Sequence, residues 1–296
     1  MTAPGVPAWV DGIAGPVVGA TRLRAGFTNE SWAVATSNGR RLVVTRMAEP
    51  GAAGFLLDRC PALIGRLADS GIASPIPIAD RSDRAQNVVT STFVDGAPGM
   101  DMMDDDSGAA LVGRIAGATW LALGAVDASG LGLDDLWARP SALTQAALTW
   151  IEPVADSLGS RASRLARRRI AELPAVLENR RPGFLHGDFV PANILIAAGA
   201  LTALLDLETV RVGEPLLDAA WFRWNVRYHH PMSETSAWAG FAAASRLDRD
   251  DSSVGALIPL LPVVRILEIL AGPALPAASR TRWVDQLHAC VGELPA

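Results

Sequence analysis

Apolar runs of strand length fill much of the first hundred positions, and apolar residues spaced by three and four fill most of the rest. Thr21–Thr36 reads as two strand-like runs around a loop at Gly26–Glu30. Ser37-Asn38-Gly39-Arg40 follows, and Asn-Gly between apolar runs is a hairpin signal because both residues accept positive φ. Arg41–Met47 is then a third strand, and Pro75–Ile78 and Asn87–Val94 are two more. Gly54–Asp69 reads as a helix with Leu56, Cys60, Leu63 and Leu67 on one face, closed by Ser70-Gly71. Leu111, Ile115, Ala118, Ala122 and Val126 predict a second helical stripe, preceded by the acidic run Asp101–Asp106 as a solvated loop or helix start. Ser141–Asn179 reads as helices broken at Pro153 and near Gly159, and Ala219–Val291 as apolar helices.

Two short runs, Ile194–Ile196 and Leu201–Leu205, read as buried strands set into this helical half. The loop before the first of them holds His186, Asp188 and Asn193 close to apolar sequence, where a polar group needs a partner or a task. The second run delivers Asp206. A carboxylate, an amide five residues later and a carboxylate after the next strand suit phosphoryl transfer. Asp188 can take the proton of an attacking hydroxyl, and Asn193 and Asp206 offer oxygens to Mg2+, a hard cation. Arg46 shares a strand face with Leu42 and Val44 by the period of two. An inward cation there suits phosphate, the alternative being a strand-end arginine that reaches water.

His186-Gly187-Asp188, Asn193, Asp206, Gly213-Glu214-Pro215 and Asp218, in that order, resemble the aminoglycoside phosphotransferase family of small-molecule kinases. The resemblance is strongest over residues 184–221. It implies an α+β, two-lobed protein-kinase-like fold: residues 1–94 as an N-terminal nucleotide-binding lobe with a small antiparallel sheet, and 95–296 as a mostly helical catalytic and substrate-binding lobe. It implies ATP or GTP as phosphoryl donor, with Mg2+. By the same resemblance Gly26, Thr28 and Asn29 belong to the loop over the phosphates, Arg46 stands where kinases carry a lysine, and Thr92 and Val94 lie in the hinge that holds a purine. His186 and Asp218 would brace the catalytic loop, and Glu208 would assist the metal through water or orient its neighbours.

The chain departs from the family on the Gly54–Asp69 helix, which lacks the glutamate that pairs the strand-three cation; Asp58 is its nearest acid and Cys60 lies near the expected place. The short interval from Asp206 to Asp218 holds no Ala-Pro-Glu element, which favours a small-molecule acceptor over a protein. The expected acceptor is a small hydroxylated molecule of the aminoglycoside antibiotic type. A macrolide or an amino alcohol is the alternative, as is a degenerate relative that binds nucleotide without turnover. Two further residues have two readings each. Glu268 pairs with Arg265 three residues earlier or with a substrate ammonium, and Trp221 lines an acceptor pocket or belongs to the core.

The chain of 296 residues is 50% hydrophobic, enough for a sizeable core. Its net charge of -5 argues against general nucleic-acid binding, so the arginines of 161–169 read as a surface helix. Cys60 and Cys290 make no disulfide framework, which fits a reducing cytoplasm, and no basic residue before Arg22 or apolar stretch marks a signal peptide. The apolar run Val254–Leu270 contains Pro259, Pro262, Arg265 and Glu268, so a core helix is expected there rather than a membrane span of about 20 apolar residues.

Overall fold

The computed structural model describes residues 6–23, 29–247, 251–272 and 275–295. In chain order the elements are α1 (Ala8–Ala14), β1 (Val17–Arg22), β2 (Glu30–Thr36), β3 (Arg41–Arg46), α2 (Ala52–Asp69), β4 (Val88–Thr92), β5 (Ala97–Pro98) and α3 (Asp106–Leu123). There follow α4 (Pro140–Trp150), α5 (Ala155–Ala171), α6 (Leu173–Leu177), β6 (Gly183–Leu185), β7 (Ile194–Ala197), β8 (Ala200–Leu204) and β9 (Arg211–Gly213). The chain closes with α7 (Leu216–His229), α8 (Glu234–Ser245), α9 (Ser252–Ala271) and α10 (Ala277–Gly292). They form two compact units: Met1–Asp101 with Ala192–Thr209, and Met102–Pro191 with Val210–Ala296.

In the first unit β1–β4 form an antiparallel sheet in sequence order. The β2–β3 turn centres on Asn38-Gly39, with Gly39 at φ +79°, as the Asn-Gly signal predicts. One sheet face closes on α1 through Val10, Ala14, Val34, Leu42, Val44 and Val88. The expected strand Pro75–Ile78 is instead an extended segment with a single bridge, Pro77 to Ser91. Pro75 and Pro77 have no N–H to give, so a regular ladder cannot form. The segment still bonds the β4 edge where it has donors and acceptors, Ile78 N–H to Thr90 and Thr92 N–H to the Ile76 carbonyl. A second sheet of this unit, in the order β5-β7-β8, brings the later hairpin back to the early chain.

The second unit is helical around α9. That helix is long and apolar enough to span a membrane by length and composition. In this fold it is core: Leu257, Leu261, Val263, Val264, Ile266 and Leu267 are fully buried, and the helix runs on through Pro259 and Pro262. α3 shows a different logic. Asp105 caps it, accepting from the Gly108 N–H at 2.8 Å. Its buried face is Ala109, Val112, Gly113, Ala116, Gly117, Thr119 and Leu123, not the stripe of Leu111, Ile115, Ala118 and Ala122. A Cβ at Gly113 or Gly117 would overlap the carbonyl oxygens of Ala237 or Phe241 on α8. The two backbones approach so closely that small residues, not large ones, mark the contact. α5 turns sharply at Gly159, φ +74°, where the helix break is expected. Both cysteines are free and buried.

Candidate active site

The motif residues fall into both units, and each set is built from local structure. In the second unit, β6 pairs β9 with Gly183 opposite Gly213 and Leu185 opposite Arg211, which ends the strand at His186. Asp218 lies in the first turn of α7, 1% exposed. Its carboxylate accepts the His186 backbone N–H at 2.7 Å and the Gly187 N–H at 2.9 Å. Gly187 sits at φ +82°, where a side chain would be strained, so the loop can turn towards that carboxylate. Burial pushes the Asp218 carboxyl up, while His186, the two N–H donors and Arg211 oppose that shift. His186 is wholly buried, and its Nδ1 accepts the Asp188 N–H at 3.3 Å. Its ring meets Phe189 edge-on.

Asp188 is half-buried, and its Oδ1 accepts the indole N–H of Trp221 at 2.9 Å. Trp221 is 3% exposed, so it is a core residue whose polar edge is spent on the expected base. That role was not read from the sequence. The available signal was its place three residues after Asp218, one helical turn along α7.

Glu268 is engaged from three sides. Arg265 donates at 2.5 Å, Arg211 at 2.7 Å and the Trp137 indole at 3.2 Å. The protein thus supplies Arg265, the nearer of the two expected partners, and adds a second arginine and an indole.

In the first unit β7 begins after Asn193, whose carbonyl accepts the Leu205 N–H at 2.8 Å. Asp206 follows β8, exposed and at φ +60°. A non-glycine residue in the left-handed region is uncommon, though aspartate tolerates it best, and such positions cluster at functional sites. Glu208 lies two residues on and accepts the Asn29 side-chain N–H at 2.5 Å. Asn29 in turn accepts the Ala48 N–H at 2.9 Å, which ties the end of the first loop to β3's exit. The Glu208 carboxyl is pushed up to about 8, by burial first and then by the charge of Asp206 and a hydrogen bond with it. Two carboxyls this close disfavour each other's ionisation, and an added cation would relieve that repulsion.

Arg46 ends β3, half-buried, with its guanidinium 4.2 Å over the ring of Trp9 on α1. Asp58 is not its partner, because that acid bonds Arg84 at 2.5 Å. Cys60 is buried, its thiol pushed up to about 12, chiefly by burial. Among the described residues no ion pair involves Arg46. Thr92 closes the ladder opposite Leu42, and its hydroxyl accepts the Ile76 N–H at 2.9 Å. Val94 follows half-buried, between Phe93, which lies under the Arg41 guanidinium at 3.9 Å, and Asp95, which pairs with Arg41 at 2.7 Å. Gly26 and Thr28 lie outside the described residues.

Solved structures similar over almost the whole chain include a macrolide 2'-phosphotransferase, MphH from Brachybacterium faecium, at 16% identity and TM-score 0.65 over 97% of this chain and 98% of that one. A thermostable mutant of aminoglycoside phosphotransferase APH(4)-Ia (N203A), in a ternary complex with AMP-PNP and hygromycin B, matches at 17% identity and TM-score 0.68 over 98% of each chain. The GDP complex of aminoglycoside 2'-phosphotransferase-IIIa matches at 17% and 0.67, over 94% of this chain and 93% of that one. At these identities the likeness shows the fold: the α+β, protein-kinase-like arrangement of an antiparallel-sheet unit and a mostly helical unit. No curated protein matches the chain by sequence. The phosphotransferase enzyme family matches residues 19–251, and the chain belongs to that family.

Proposed function

We propose that the protein is a nucleotide-dependent O-phosphotransferase acting on a small hydroxylated molecule of the antibiotic type. The observation that carries this reading is Asp188, a carboxylate held by the Trp221 indole in a loop whose backbone is anchored on buried Asp218. A general base needs a fixed position within reach of the proton it takes. In the proposed reaction the acceptor oxygen bonds to the γ-phosphorus of ATP or GTP while the bond from that phosphorus to the β–γ bridging oxygen breaks. The nucleoside diphosphate leaves, and the hydroxyl proton passes to Asp188. Asn193 and Asp206 would hold Mg2+, which when bound neutralises phosphate charge. Glu208 would act behind them, orienting through Asn29. Arg46, over the Trp9 ring, would contact the phosphates, with Gly26, Thr28 and Asn29 of the first loop beside them and Thr92 and Val94 against the base.

The family includes enzymes whose acceptors are aminoglycosides, and the sequence motif alone puts that class first. A second reading, a macrolide acceptor, is favoured by the stacked rings of Trp224, Tyr228 and Trp283 on α7 and α10. The test is nucleotide consumption by purified protein with a panel of aminoglycosides, macrolides and amino alcohols, with the phosphorylated product identified by mass spectrometry. Consumption that depends on one acceptor and on Mg2+ is expected. Nucleotide binding with no acceptor-dependent turnover anywhere in the panel would instead point to a degenerate relative.

A further inference from the structure

Arg211 lies one strand pair from the loop that carries Asp188. In β9 it stands opposite Leu185, the residue before His186, and it is buried. Its backbone is fixed on two sides. The Val212 N–H donates to the Asp134 carbonyl at 2.8 Å, and a Cβ at Gly213 would overlap Trp137 and Leu185, so β9 is held closely against both. The Arg211 guanidinium bonds one oxygen of Glu268 at 2.7 Å, and Arg265 bonds the other oxygen. Glu268 thus has one negative charge for two buried guanidiniums. Asp134, the further acid that acts on Arg211, is exposed, where water and salt screen it.

The buried anion next to this strand pair is Asp218. One of its oxygens accepts the His186 N–H and the other accepts the Gly187 N–H, while Trp221 of the same helix, stacked on Trp224 at 4.4 Å, bonds Asp188. Protonating either Asp218 oxygen would turn an acceptor into a donor and lose a bond. Burial pushes the Asp218 carboxyl up, so it needs a cation to stay ionised. Two ionisable groups oppose that shift, His186 and Arg211. His186 Nδ1 accepts the Asp188 N–H, so the ring is neutral while that bond stands, whereas a guanidinium keeps its charge when buried. The other elements packed on α7 bring groups that are already engaged. Arg265 and Glu268 of α9 bond each other, Glu234 of α8 bonds Arg223, and α3 places the Trp120 indole on the Pro215 carbonyl.

We propose that Arg211 is a positioning residue for the reaction: its guanidinium is the counter-charge of Asp218, and through that carboxylate it fixes the His186-Gly187 backbone and so the place of Asp188. The inference rests on the phosphotransferase reading above and adds to it a residue that the motif itself does not include. It ties a side-chain charge to a backbone. Without the cation, Asp218 takes up its proton at a higher pH, an N–H bond is lost, and the loop under Asp188 is released.

Nuclear magnetic resonance of the labelled full chain reads both ends of this link without an acceptor. In wild type the carboxyl carbon of Asp218 should show an ionised group at pH 7, and the His186 and Gly187 amides should resist hydrogen exchange. In Arg211→Met the pH at which both amides lose protection should rise by about one pH unit or more, the scale of one nearby opposite charge. Arg211→Lys keeps the charge and should stay near wild type. Glu268→Gln also removes a partner of Arg211, but it takes away an anion, so it should not move the loss of protection upward. The same pH dependence in Arg211→Met as in wild type, or Arg211→Lys behaving as Arg211→Met, would overturn the proposal. If Arg211→Met fails to fold by circular dichroism, wild type and Arg211→Lys decide. An Asp218 protonated at pH 7 with Arg211 in place overturns the proposal, and an ionised one with protection kept in Arg211→Lys supports it. With an acceptor from the panel, Arg211→Met should lower kcat with KM nearly unchanged, and the acid limb of kcat should move up with the amides. Amides that respond as expected, with no acceptor-driven consumption across the panel, would sink the phosphotransferase reading and leave Arg211 as the counter-charge of Asp218 with no reaction to serve.

Discussion

Asp188 and Glu208 are both half-buried carboxylates within the same motif, but their surroundings treat charge in opposite ways. Around Asp188 hydrogen bonds fix the loop: the Trp221 indole N–H donates to its carboxylate, its own backbone N–H donates to His186 Nδ1, and the His186 and Gly187 N–H groups donate to the Asp218 that supports the loop. Around Glu208 acids converge, and burial with the nearby Asp206 pushes its carboxyl up to about 8. The first set holds the loop in place with protein atoms, as suits a proposed base that must be positioned before substrate arrives. The second is a charge arrangement whose natural complement is a cation. The proposed base and the proposed metal residues thus lie in different compact units of the chain.

The comparison breaks most sharply at Asp188. Asp188→Asn keeps the shape and the Trp221 bond but removes the base, so turnover is expected to fall on the order of 100- to 10,000-fold. Nucleotide titration of the same variant should be nearly unchanged, since the metal-side residues are intact. Turnover within about tenfold of wild type would make Asp188 a structural residue and end the proposed mechanism.

Arg46→Ala tests the other side. A charge-assisted hydrogen bond is worth about 1.5–3 kcal/mol, so nucleotide affinity should weaken roughly 10- to 100-fold by calorimetry, with the fold retained. Unchanged affinity would remove Arg46 from the nucleotide site and leave it a strand-end cation on Trp9. Trp221→Phe sharpens the claim of pre-organisation, because it keeps a ring in the stack and removes only the N–H. Turnover should fall by about tenfold from the loss of one hydrogen bond to a charged group, without a change in nucleotide affinity. Full activity in this variant would show that Asp188 holds its place without the indole.

Much of this was legible because local sequence and tertiary demand agree. Ile194–Ile196 and Leu201–Leu205 are apolar runs of strand length, and β7 and β8 form there with Asn193 and Asp206 at their ends, whereas the short strand β6 was not read from Phe184-Leu185. The Asn38-Gly39 turn and the break at Gly159 follow from backbone freedom alone. What escaped depends on partners remote in sequence. The buried face of α3 is set by the α8 backbone at Gly113 and Gly117, and a search for large apolar residues selects the neighbouring face. The extended segment at Pro75–Ile78 has strand composition but lacks the donors a ladder needs. Trp9 over Arg46 and Trp221 on Asp188 are side-chain meetings that no spacing rule announces with certainty, although the second lies one turn from a residue already singled out.

The smallest effect on turnover is expected at Glu268, where the consequence is stability. Its carboxylate is closed in by Arg265, Arg211 and the Trp137 indole, and Arg211 is itself largely buried. Burial alone would raise the Glu268 carboxyl, but the two arginines outweigh it and the net direction is down from the ordinary value of 4.5. A carboxylate lowered on folding adds stability that is fully present above its unfolded value and is lost as pH falls through its folded one. Wild type should therefore lose part of its unfolding free energy as pH drops below about 4.5. Glu268→Gln keeps an oxygen for the indole but leaves two partly or fully buried guanidiniums without their anion, and should cost about 1–3 kcal/mol at pH 7. The difference between the proteins should shrink in acid, because wild type then protonates the same group. Urea unfolding at a series of pH values measures both quantities. A variant as stable as wild type at pH 7, with the same acid slope, would mean that the arginines are satisfied elsewhere. A raised KM for amine acceptors alone, with stability untouched, would return Glu268 to the substrate.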